Sequence, residues 1–228
     1  RLCLAGRNGA GKSSLLNAII GEKIASVSPK PQTTRTRITG IKTIGETQMV
    51  FMDTPGLHKP TTKLSDHMLK AVRDAVSDID AVLFVQDCTK PLSQQEEELL
   101  GSLERAKTPV ILVLNKIDLC SDKTKLMQAI ASLNAAHTFA ATVPVSVTEN
   151  DGVDLVEQEV MALAQPAPHY FPDEKFTDQP ERVLAAEMIR EKILNLLRDE
   201  VPHGIAVSIE RMKERDDKDL LDIDATIY

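Results

Sequence analysis

Short apolar runs alternate along this chain with stretches in which apolar residues recur every three or four positions. The runs are LCLAG, QMVFMD, AVLFVQD, PVILVLN and TVPVS. They are rich in Val, Leu and Ile with little polar alternation, as expected of strands buried on both faces. Helical spacing predicts helices over Lys12–Ile20, Asp66–Asp78, Ser93–Arg105, Lys123–Asn134 and Gly152–Leu163. In SQQEEELL, Ser93 fits a helix N-cap followed by acidic residues in the first turn. Strands alternating with helices predict an α/β domain with a mostly parallel sheet and helices on both faces. RITGIKTIGETQMVFMD breaks the alternation. Two runs around a Gly-containing turn predict a hairpin, so one sheet edge is antiparallel.

The pattern changes after Leu163. AQPAPHYFPDEKFTDQP holds four of the chain's 12 prolines, which favours an extended, ordered linker over a helix. PERVLAAEMIREKILNLLRDEVP then predicts one strong helix, Glu181–Glu200, in isolation an amphipathic core helix. Alternating strands follow at about Ile205–Arg211 and Leu221–Tyr228. The expected organisation is a first domain over 1–165, a linker over 166–180 and a second, smaller segment over 181–228. The chain opens and stops inside strand-like runs, so it is expected to be truncated at both ends.

At 228 residues, 42% apolar and 27% charged, the composition is that of a globular chain able to bury a core. No apolar run approaches the roughly 18 residues that span a bilayer. The net charge of −7 opposes a protein that coats nucleic acid by bulk charge. Cys3, Cys88 and Cys120 are scattered without CxxC spacing, so reduced thiols are expected rather than a disulfide framework or a zinc site.

The chemistry concentrates in three motifs. Gly6-Arg-Asn-Gly-Ala-Gly-Lys12-Ser13 fits GxxxxGK[ST] between a strand and a helix. Such a loop turns successive N–H groups inward, from Asn8, Gly9, Ala10, Gly11 and Lys12 to Ser13 and Ser14, onto a polyphosphate at a helix N-terminus. Lys12 would reach the β- and γ-phosphates and Ser13 would bind Mg²⁺. At DTPG, Asp53 ends a buried strand and can hold Mg²⁺, Thr54 and Pro55 shape the turn, and the Gly56 N–H can meet the γ-phosphate. At NKID, the Asp118 carboxylate pairs with guanine N1–H and its 2-amino group, a donor pair adenine lacks. Asn115 would bond the base edge or brace the phosphate loop, and the Lys116 stem would cover one face of the ring. Ser146 and the Val147 N–H would cap guanine O6. The expected ligands are therefore GTP and GDP.

GRNGAGKSSLLNAIIGEKIASVSPKPQTTRTRITGI, DTPGLHKP, NKID and TDQPERVLAAEMIREKIL together resemble the Era family of GTPases over nearly the whole chain. The resemblance implies a P-loop GTPase followed by a type II KH domain, and a cytoplasmic role in assembly of the small ribosomal subunit through ribosomal RNA. It implies a monomer with peripheral membrane contact. It also implies that a threonine of QTTRT, Thr34 in preference to Thr33, completes the Mg²⁺ shell, so the catalytic set would be Lys12, Thr34 and Gly56. The second switch would run from Asp53 to about Lys63.

Three departures stand out. The family loop typically reads GRPNVGKS, whereas here Asn8 stands at the Pro position and Gly9 at the following Asn. Related GTPases use that asparagine to hold K⁺, so K⁺ is a second candidate cofactor rather than a requirement. Val147 replaces the usual alanine. The KH segment lacks its GxxG clamp, and from Glu181 to Tyr228 it carries 8 Lys/Arg against 12 Asp/Glu, no electrostatic footprint for RNA. Leu57 follows DTPG where many GTPases place a water-orienting glutamine, so slow intrinsic turnover is expected. His58 reads as a solvent-facing switch residue rather than a base, and Arg35 and Arg37 as solvated cations. A guanine-nucleotide sensor that hydrolyses only with a partner is the alternative. Asp118 opposes a third reading as an ATPase or small-molecule kinase.

Overall fold

Strand β1 (Leu2–Ala5) is buried at every position, because both faces of its sheet are covered. Leu2 and Leu4 point to one side and Cys3 and Ala5 to the other, following the two-residue period of a strand. In this computed structural model, which describes residues 1–28, 38–53, 79–196, 205–215 and 220–228, β1 lies near the middle of a six-stranded sheet. The other strands are β2 (Ile38–Ile44), β3 (Thr47–Asp53), β4 (Ala81–Asp87), β5 (Val110–Asn115) and β6 (Ala141–Val145). Their order is β2-β3-β1-β4-β5-β6, all parallel except the β2–β3 hairpin at the edge. The expected antiparallel edge is therefore present.

Helices α1 (Lys12–Ile20) and α4 (Val153–Ala162) cover the Leu2/Leu4 face with Leu15, Leu16, Ile19, Val153, Val156 and Val160. Helix α2 (Gln94–Arg105) covers the other face with Leu99, Leu100 and Leu103 against Val82, Phe84 and Leu112. Each fully buried Leu or Phe contributes about 1.5–3 kcal/mol relative to exposure. Helix α3 (Lys123–Ala136) departs from its amphipathic reading: it starts at an Asp122 cap but buries none of its residues. It flanks the sheet, and only Leu133 packs, partly covered, against the α2-side core.

The proline-rich segment is extended along the hairpin edge. Thr177 bridges Gly40, its hydroxyl donates to the Thr39 carbonyl at 2.7 Å, and Gln48 bonds the Tyr170 and Phe171 backbone. Helix α5 (Glu181–Leu196) follows, and the reading of it as a core helix does not hold. Of its three buried residues, Arg190 and Glu191 are charged and only Leu194 is apolar. It grips the chain just past α1 instead: Lys23 Nζ lies 2.5 Å from Glu191 Oε1, the Val27 N–H donates to Glu191 Oε2 at 2.8 Å, and the Ser26 hydroxyl donates to Glu187 Oε2 at 2.8 Å. Strands β7 (Val207–Glu214) and β8 (Leu221–Ile227) form a separate antiparallel pair beside α5, with β8 exposed throughout. Among the described residues, no helix is long and apolar enough to cross a membrane.

Candidate functional site

The parallel strands deliver their carboxyl ends to one edge of the sheet, where the order reverses around β1, and the glycine-rich loop, Asp53 and the NKID turn meet there. β1 runs into the glycine-rich loop. Gly6 takes φ 136°, and a Cβ there would lie 2.2 Å from the Val85 carbonyl oxygen of β4. Gly11, at φ 101°, packs so closely that a Cβ would meet Asn115 Nδ2 at 2.2 Å. Asn115 ends β5 and its side-chain amide donates to the Ala10 carbonyl at 2.8 Å, while its oxygen accepts from the Lys116 and Val147 N–H groups at 2.8 and 3.2 Å. Of the two roles open to Asn115, this geometry is the brace: it ties the phosphate loop to the base-side turn.

Lys12 is buried, with its ammonium donating to the Gly6 and Arg7 carbonyls at 3.1 and 3.2 Å. Burial pushes it below the usual lysine range, while the Asp53 and Glu96 carboxylates pull upward. Asp53, at the end of β3, is fully buried. Burial raises its carboxyl above the usual range, against the opposing pull of Lys12 and the Ser13 hydroxyl, which donates to Oδ2 at 2.5 Å. Asp53 Oδ1 is buried with no hydrogen-bond partner among the described residues. A hydroxyl and a carboxylate in contact, with a second carboxylate oxygen unsatisfied, are hard oxygen donors that fit Mg²⁺.

At the base end, Lys116 takes a left-handed φ of 70° and starts a single helical turn, Ile117–Leu119. A non-glycine residue held there signals an imposed geometry. The exposed Asp118 carboxylate accepts from the buried Ser146 hydroxyl at 2.6 Å. Ser146 thus orients Asp118. The Val147 N–H, expected on the same oxygen, is directed at Asn115.

Several contributing residues were missed in the sequence. Asp87, at the end of β4, holds Lys116 Nζ at 2.9 Å and accepts from the Thr89 hydroxyl at 2.5 Å, with Lys90 at 3.6 Å. Burial favours its neutral form, but these hydrogen bonds outweigh it and hold its carboxyl at about 2. Its signal was legible: an Asp closing a buried strand, like Asp53. Arg7 of the phosphate loop is clamped by Glu96, with Nε at 3.2 and 3.1 Å from the two carboxylate oxygens and Nη2 at 2.5 Å, and it also bonds the Pro91 carbonyl. Burial opposes ionisation of Glu96, yet Arg7 and Ser93 lower it below the usual range. Glu96 reads from sequence only as part of a helix start.

The thiols also depart from expectation. The structure pairs Cys88 with Cys120, their Cα atoms 7.2 Å apart. They are 32 residues apart in sequence, but each follows one of two adjacent parallel strands, in which Asp87 is paired with Asn115. Thr34, Thr54, Pro55, Gly56, Leu57, His58, Arg35, Arg37 and the helix expected over Asp66–Asp78 lie outside the described residues.

The family described as "50S ribosome-binding GTPase" matches residues 1–116. GTPase Era of Clostridioides difficile (strain 630) is 45% identical over 225 residues, covering 99% of this chain and 76% of that protein. The chain belongs to the Era family of GTPases. GTPase Era of Ruminiclostridium cellulolyticum is 46% identical over 98% of this chain and 74% of its own length. A crystal structure of Era in complex with MgGDPNP and nucleotides 1506-1542 of 16S ribosomal RNA matches with a TM-score of 0.87 at 34% identity, over 99% of this chain and 77% of that one. A crystal structure of an Aquifex aeolicus Era variant bound to GDP.AlF4⁻ matches with the same TM-score at 33% identity and the same coverage. The sheet described above is thus the P-loop GTPase sheet of an Era-family protein, as the sequence resemblance implied, and the activity of the family is hydrolysis of GTP.

Proposed function

We propose that this chain is a GTP-driven switch that acts in small-subunit assembly by engaging 16S-type ribosomal RNA. One observation carries the reading most strongly. Asn115 links a lysine–serine–aspartate phosphate end to an aspartate–serine base end within one site. The residues take these roles. Backbone N–H groups from Asn8 through Ser14 hold the α- and β-phosphates, and Lys12 and the Gly56 N–H hold the γ-phosphate. Ser13, Asp53 and Thr34 hold Mg²⁺, which when bound neutralises charge on the β- and γ-oxygens. Thr54 and Pro55 join Gly56 among the proposed GTP-binding residues. Asp118 reads the guanine edge, Lys116 covers the ring, and Ser146 and Val147 support that end. Asn8 is the candidate ligand for K⁺.

The proposal divides the chain into a GTPase domain over 1–165, a linker over 166–180 and part of a type II KH domain over 181–228. The protein works as a cytoplasmic monomer with peripheral membrane contact, a reading carried by family resemblance alone. The Era structure bound to a 16S fragment supports the RNA partner. Leu57 favours a second reading of the same machine, in which turnover is negligible until a partner supplies water positioning.

The test is single-chain turnover with Mg²⁺, comparing GTP with ATP and K⁺ with Na⁺. GTP-only hydrolysis supports the switch, and stimulation by K⁺ assigns Asn8 or nearby backbone to that ion. Tight GTP binding without turnover, relieved by added small ribosomal subunits, selects the partner-dependent reading. Preference for ATP overturns both.

A further inference from the structure

We propose that Cys88 and Cys120 form a thiol–disulfide exchange site for low-molecular-weight disulfides, whose closure pins the base-side turn and slows release of bound guanine nucleotide. The inference rests on the nucleotide reading above and adds a modification to the same site. Cys88 directly follows Asp87, the residue that holds Lys116. Cys120 closes the single turn, Ile117–Leu119, that carries Asp118. The structure pairs these two sulfurs. Both cysteines are half-buried at the sheet's carboxyl edge and reachable by a small oxidant, whereas Cys3 is buried within β1 at 1% exposure.

The turn between them is lightly held. Past Asn115, Asp118 and Leu119 are exposed, and the turn's own backbone bonds run only from the Leu119 N–H to Lys116 and from the Cys120 N–H to Ile117. Its side-chain ties are Lys116 to Asp87, the Lys116 N–H to Asn115 and Ser146 to Asp118. These contacts are polar, and each ties the outward-facing turn to a buried side chain without a covalent link. A covalent link from Cys120 to the end of β4 would fix the far side of the turn to the sheet itself. Cys88 Sγ also lies 3.1 Å from the Lys116 carbonyl oxygen, at the start of the turn.

The direction follows from what coexists with the pairing. With the sulfurs paired, Asp118 keeps its Ser146 bond and Asn115 keeps its hold on the phosphate loop. With the Cα atoms 7.2 Å apart, closure draws the turn toward the end of β4 and restrains the opening by which the base leaves. Differences of this kind fall mainly on the dissociation rate.

The chemistry balances with an ordinary oxidant class. One cysteine thiolate attacks a small-molecule disulfide, forming a mixed disulfide and releasing one small thiolate. The second cysteine thiolate attacks the protein sulfur of that mixed disulfide and releases the other. Two protein thiols are oxidised, one small disulfide is reduced to two thiols, and the two cysteine protons end on the departing thiolates.

The test uses the whole chain, reduced or equilibrated with oxidised glutathione, read first by intact mass and thiol count and then by release of a fluorescent GDP. The expected result is loss of two hydrogens, two thiols consumed with Cys3 retained, and GDP release slowed by about threefold or more. Cys120→Ser and Cys88→Ser, the second keeping a donor toward Lys116, should abolish the redox response and release GDP as the reduced wild-type chain does. Failure to form the internal bond, formation with an unchanged or faster release rate, or a response that survives in both variants each overturns the inference. Reduced protein that binds no GDP overturns the nucleotide reading and this one with it. Reduced protein that binds GDP normally separates the two.

Discussion

Gly6 shows how one missing side chain sets the site. At φ 136° with a Cβ position 2.2 Å from a backbone oxygen of β4, no other residue fits without moving a central strand. Gly6→Ala should lower stability by about 2–4 kcal/mol and abolish GDP binding, checked by urea unfolding and nucleotide titration. Asp87 makes a different prediction. Its folded carboxyl sits at about 2 against an ordinary value of 3.8. A depressed acid contributes stability that is full above the unfolded value and lost as pH falls through the folded one. The stability gap between wild type and Asp87→Asn should therefore be flat above pH ~4 and shrink toward pH ~2. Urea titrations across that range would show it, and a gap that instead widens on acidification would refute the assignment. The groups facing Asp87 are Lys116, Lys90 and Thr89, so the variant also frees the Lys116 side chain.

Among the elements, α2 does more than fill the sheet face. Its first turn carries a reciprocal cap, Ser93 to the Glu96 N–H and Glu96 to the Ser93 N–H, and the same Glu96 carboxylate receives Arg7 from the phosphate loop. A helix N-terminus on one face of the sheet thereby anchors the loop that starts the helix on the other. Glu96→Gln should keep the helix but weaken the clamp, costing about 1.5–3 kcal/mol and loosening nucleotide binding. Calorimetry beside helix content by circular dichroism would check this, and an unchanged melting temperature would refute it. Much of this level was legible beforehand. Ser93 as a cap, the starts of α1 and α4 and the hairpin edge follow from local periodicity and turn residues. The double use of Glu96 was not, since Arg7 is 89 residues away in sequence and local patterns carry no such pairing.

At the scale of the whole molecule, α5 holds the segment 23–27 that leads from α1 toward the first switch. The contact is polar and centred on Glu191, which is 4% exposed and serves both Lys23 and the Val27 N–H. Removing the Glu191 carboxylate takes away the shared acceptor of both donors. Glu191→Ala should make proteolysis around α5 severalfold faster while the melting of the six-stranded domain changes little. Coincident loss of both would mean that the two parts unfold as one unit.

The sequence by itself determined the phosphate loop, the guanine motif, the parallel core and the family resemblance. Each rests on residues close together in the chain, where spacing and local conformation encode the chemistry. Only the tertiary structure decided that Asn115 braces the loop, that Ser146 bonds Asp118, that Glu96 and Asp87 hold Arg7 and Lys116, and that Cys88 meets Cys120. These contacts join residues distant along the chain. Which strands become neighbours is fixed by burying both faces of one sheet, a global condition that no local stretch contains.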